Sequence, residues 1–104
     1  MESRELHKAA GHLSSTLNWD REWIHFGTGD KIKTDIIDDL IINFLEGDQV
    51  NLVFERTNSG TFNKAEILPR ITELLGNHNF QLWNETLQRA IQFKNIGVLL
   101  KGEK

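Results

Sequence analysis

The chain has 104 residues, no cysteine, 38% hydrophobic and 26% charged side chains, and a formal net charge of -3. Those values fit a single folded domain spanning 1–104 and exclude disulfides, thiolate metal sites and the low hydrophobicity of a disordered chain. An acidic balance also argues against nucleic acid as a partner, because that binding is dominated by clustered Lys and Arg neutralising phosphates.

The N-terminal MESRELHKAAGHL mixes acids with bases and holds no apolar run, so no secretory signal is expected. With no run of eighteen apolar residues anywhere, neither a transmembrane helix nor a membrane partner is expected, and the absence of cysteine fits the cytoplasm. Leu6, Ala9, Ala10, Leu13 and Leu17 recur at helical spacing and predict a first helix over 2–17, with Ser3 as its cap and Gly11 weakening it by about 1 kcal/mol. Trp23 to Phe26 reads as a short strand, and Gly27-Thr28-Gly29-Asp30 as the turn that ends it. A hairpin pairing WIHF with KIKT across that turn is the alternative.

The next segment is the most strongly patterned. Ile36, Ile37, Leu40, Ile41, Phe44 and Leu45 gather on one side of a helix, which predicts a helix over 34–46 capped by Thr34 and stopped by Gly47. Val50, Leu52 and Phe54 then alternate with Asn51, Val53 and Glu55, the period of a strand. After a turn at 57–60, Pro69 forces a choice. Asn63 with Glu66 resembles a capping box that starts a helix at once, but a proline inside a helix costs about 3 kcal/mol, which favours a returning strand over 61–67 and a helix from Pro69 to Leu75. Phe80, Trp83, Leu87, Ala90 and Ile91 fall at helical intervals and predict a last helix over 81–94, followed by a closing strand over 96–100. The expected fold is therefore α+β: a small three- or four-stranded sheet with helices packed on one side, as a single pair of layers.

Catalytic and metal motifs are not evident. FGTGDK has a glycine turn before a helix, yet it lacks the spacing and the Lys-Ser/Thr ending of a phosphate loop, and Asp30 would repel a phosphate. His7, His12, His25 and His78 show no zinc-binding spacing, so neither a metal nor another cofactor is expected. No catalytic residue is assigned.

Charge distribution carries the functional expectation. Between Asp30 and Asp48 six acids stand against Lys31 and Lys33, a segment charge of -4 that leaves the remainder of the chain at +1. On the helical wheel Asp35, Asp39 and Glu46 point away from the apolar stripe, Asp38 flanks it, and Ile42 sits among them. An apolar centre with a charged rim is the layout of a protein-binding epitope. The expected partner surface is Asp35, Asp38, Asp39, Ile42, Glu46 and Asp48, joined by an exposed Trp19, and it would meet a basic protein surface. The expected function is a non-catalytic binding domain of the antitoxin, immunity or regulatory-adaptor type. The alternatives are a small enzyme or ligand-binding domain with a pocket near the 26–34 turn, or between Trp83 and the strand at 49–56. A homodimer through an open sheet edge is compatible with either.

Overall fold

The computed structural model describes residues 2–28, 31–55 and 58–104. Its first helix, α1 (Ser3–Leu13), runs into a 3-10 turn at Ser14–Thr16, and two short strands follow, β1 (Asn18–Trp19) and β2 (Ile24–His25). Then come α2 (Thr34–Asn43), β3 (Gln49–Val53), β4 (Gly60–Asn63) and α3 (Lys64–Ile71). Three consecutive strands, β5 (Phe80–Asn84), β6 (Arg89–Lys94) and β7 (Val98–Glu103), close the chain.

All seven strands of the described residues join one antiparallel sheet in the order β1-β7-β6-β5-β3-β4, with β2 also pairing to β7. Trp19 lies opposite Gly102 and Ile24 opposite Leu99, so β1 and β2 run end to end along β7 as one interrupted edge. The α+β class holds, but a three- or four-stranded sheet with helices on one side does not form. The sheet is larger, and helices lie on both of its faces. On one face α2 and α3 bury Ile37, Ile41, Ile67 and Ile71 against Val50, Leu52, Leu82, Ile91 and Phe93. On the other face α1 buries Leu6 and Ala10 against Val53, Trp83 and Ala90.

Two of the unexpected strands, β5 and β6, were hidden by that double coverage. Residues 81–94 form no helix; they are the β5–β6 hairpin, in which Leu82 pairs with Ile91 and Trp83 with Ala90. Phe80 and Leu82 point to the α2/α3 side while Trp83 points to the α1 side, so apolar residues occupy both faces of the strand. A strand buried on both faces loses its clean alternation. The turn is made by Asn84, whose side-chain Oδ1 accepts hydrogen bonds from the amides of Gln88 (2.9 Å) and Arg89 (3.0 Å). Leu87 completes it with a φ of 58°, a left-handed conformation that a leucine seldom adopts.

The helix boundaries also differ from expectation: α1 is shorter than 2–17, with Glu2 and not Ser3 at its cap position. α3 begins straight after β4, with Asn63 at its N-cap position and Pro69 inside it, rather than starting at Pro69. Ala65, whose carbonyl loses its partner to Pro69, is exposed, so water can take up that carbonyl. In α2 the cap position falls on Lys33 and Thr34 is the first helical residue, with no side-chain cap bond. α2 ends at Asn43; the amide of Leu45 then bonds to the carbonyl of Leu40 at 3.1 Å before Gly47 turns the chain at a φ of 99°.

Candidate functional site

α2 sets the geometry of the acidic face. Its inner side is fixed by burial of Ile37 and Ile41, which leaves Asp35, Asp38 and Asp39 exposed on the outer side with Ile42. Ile42 is 57% exposed, one of three large hydrophobic residues left in solvent among the described residues. Asp39 accepts a hydrogen bond from the side-chain amide of Asn43, one turn on, at 2.7 Å. Among the described residues no Lys or Arg forms an ion pair with Asp35, Asp38 or Asp39. The C-terminal end is different: the Lys64 ammonium donates to the carbonyl of Ile42 at 3.3 Å, a cation where the helix dipole favours one.

The other expected members of the surface separate from this group. Arg89 takes Glu46 into an ion pair at 3.2 Å while also donating to the carbonyl of Phe44 at 3.2 Å and lying 3.5 Å from Glu103. Glu46 is thereby committed to a contact within the chain that ties the end of α2 to the sheet. Asp48 is exposed beyond Gly47, where its backbone amide donates to Glu85 at 3.2 Å and its carbonyl receives the amide of Lys64 at 3.0 Å. Trp19 is half-buried in β1, on the α1 side of the sheet, with its indole N–H donating to the carbonyl of Ser14 at 2.9 Å. It packs within the structure and does not join α2. Asp30 lies outside the described residues.

Near the two pocket positions expected from the sequence, the described residues form a groove that begins at His25, just before the 26–34 turn, and a cleft at Val53 and Phe54 of the 49–56 segment that Trp83 does not line. Residues 29 and 30 of the 26–34 turn lie outside the described residues, and the described part is closed against the β6–β7 turn. The amides of Phe26 and Gly27 both donate to the carbonyl of Gly97, at 2.9 and 3.2 Å. Trp83 is fully buried beside β3, its indole N–H donating to Gln81 at 3.0 Å. Among the described residues no three His, Asp or Glu side chains converge as a metal-binding group. No described helix is long and apolar enough to cross a membrane.

A groove lies beside the β6–β7 turn, next to the start of the 26–34 turn, and its lining of Trp23, His25, Asn79, Lys94, Ile96 and Val98 was not named from the sequence. Reading 81–94 as a helix kept Asn79 and Lys94 apart from Trp23. The available signal was the solitary Ile96 in a short polar turn. Comparison with protein-family models, curated proteins and solved structures finds no match for this chain.

Proposed function

We propose that this chain is a non-catalytic protein-binding domain that presents the outer face of α2 to a basic protein surface. The observation that carries this reading is Ile42, 57% exposed and flanked by Asp35, Asp38 and Asp39, none of them neutralised by a described ion pair. Such a centre gains from desolvation, while the carboxylate rim steers a cationic partner and suppresses wrong ones. The contact set is narrower than the sequence suggested, because Glu46 is engaged by Arg89 and Trp19 stands on the opposite side of the sheet. An antitoxin, an immunity protein or a regulatory adaptor works in this way. A cytoplasmic setting, suggested by the cysteine-free composition, belongs to the same proposal.

The test compares affinity capture from the native host by the wild-type chain, by Ile42→Asp combined with Asp39→Lys, and by Ile96→Asp on the far side of the sheet. A basic partner should be retained by wild-type and by Ile96→Asp, lost by the double variant, and weakened as salt screens the rim. Equal recovery by the double variant removes the support for this face.

A further inference from the structure

The groove beside Trp23 combines an apolar wall with a cationic end, and the sheet register places them together. Lys94 pairs with Val98 across β6 and β7, and Val98 pairs with His25 across β7 and β2, so the three side chains form a row on one face. Trp23, two residues before His25, falls on the same side. Trp23 is 41% and Ile96 74% exposed; these two and Ile42 are the large hydrophobics exposed among the described residues, so two of the three stand at this groove. It is an open groove of about 480 Å³, room for a short chain to lie along its apolar wall.

The polar end is oriented. Asn79 Oδ1 accepts the amide of Asn95 at 2.8 Å, which fixes the side chain and leaves its Nδ2 group available as a donor. Lys94, a half-buried residue, has no ion-pair partner among the described residues, and among them no Asp or Glu side chain lines the groove. An uncompensated ammonium beside an amide donor favours a carboxylate, which accepts from both. The indole, Ile96 and Val98 favour a hydrocarbon chain attached to it.

We propose that this groove binds a small amphiphilic carboxylate, with the anionic group at Lys94 and Asn79 and the tail along Trp23, Ile96 and Val98. The site lies on the opposite side of the sheet from α2 and does not rest on the protein-binding reading.

The full chain is titrated with decanoate, with decanol and with decyltrimethylammonium while its backbone amide and indole resonances are followed by NMR; sedimentation with phosphatidylglycerol vesicles is run alongside. Decanoate should give saturable shifts at residues 23–25, 79 and 94–98 and leave α2 unmoved. Decanol and the cation should bind more weakly by roughly tenfold or more, the scale of a charge-assisted hydrogen bond. Lys94→Glu and Ile96→Asp should each weaken decanoate by a similar factor while keeping the dispersion of the folded spectrum. Lys94→Met, which retains the apolar stem, serves if the glutamate variant does not fold. Absence of saturable shifts at these residues, equal affinity for the alcohol or the cation, undiminished affinity in the Lys94 variants, or binding to vesicles alone overturns the proposal.

Discussion

The indole of Trp19 occupies the space that a side chain on Gly102 would need. A Cβ built at Gly102 would lie 2.6 Å from Cε3 and 2.7 Å from Cδ2 of that ring, closer than real contacts allow. The ring is not free to swing aside, since its N–H is held by the carbonyl of Ser14. Gly102→Ala should therefore push Trp19 out of β1 and destabilise the chain by about 1–3 kcal/mol, the usual range for overpacking. Urea unfolding supplies the measurement, read as a lower midpoint at unchanged slope. In a Trp19→Ala background the same substitution should cost much less, because the obstruction is gone; additive effects of the two changes would show that the ring is not what excludes the methyl group. The same contact explains why Trp19, which looked like an exposed loop aromatic, is a poor candidate for meeting a partner.

At the scale of elements, α3 tolerates what its sequence appeared to forbid. Pro69 sits inside the helix, exposed, two residues before its last residue Ile71, so its missing N–H affects a single bond near the end of the element. Burial of Ile67 and Ile71 against the sheet holds the helix in place. Two fully buried isoleucines contribute about 1.5–3 kcal/mol each, enough to offset the roughly 3 kcal/mol a helix-interior proline costs. Pro69→Ala would restore the bond to Ala65 at the expense of a more flexible unfolded chain, an opposing effect of about 0.4–1 kcal/mol. The net expectation is stabilisation by about 2 kcal/mol, measured as a higher urea midpoint; a lower midpoint would mean that the proline ring is a needed packing surface. What was legible in the sequence follows the same division. α2 and β3 could be read because one side of α2 meets water and β3 is short and bounded by Gly47, so periodicity and punctuation agreed. β5 and β6 could not, because Trp83 and Ala90 face α1 while Leu82 and Ile91 face α2 and α3, and their turn relies on the Asn84 side chain and Leu87 instead of glycine. The outer face of α2 was visible for the same reason as the helix itself, whereas the Glu46–Arg89 pair and the Trp23 groove depend on strand neighbours that only the sheet order supplies.

Across the whole molecule the two helical layers are unequal. β5 and β6 have a paired strand on each side, with α2 and α3 covering one face and α1 part of the other. α1 is attached mainly through Leu6 and Ala10, has no side-chain bond at its N-cap, and carries Gly11 inside the helix. The hydroxyl of Ser3 also joins it to the β3–β4 connection by accepting the amide of Ser59 at 2.9 Å. Few buried apolar contacts and an exposed outer face are the properties of a segment that opens without unfolding the rest. Native-state hydrogen exchange should accordingly rank the amides in order: those of β5 and β6 slowest and limited by global unfolding, those of α1 faster through an opening at least about 2 kcal/mol easier. Low concentrations of denaturant should separate the two groups, since a local opening exposes less surface and responds weakly while the global process responds with the full slope. If α1 amides exchange as slowly as those of β5 and β6 at every denaturant concentration, the helix is a cooperative part of the core, and Leu6 and Ala10 hold it far more firmly than two side chains of their size should.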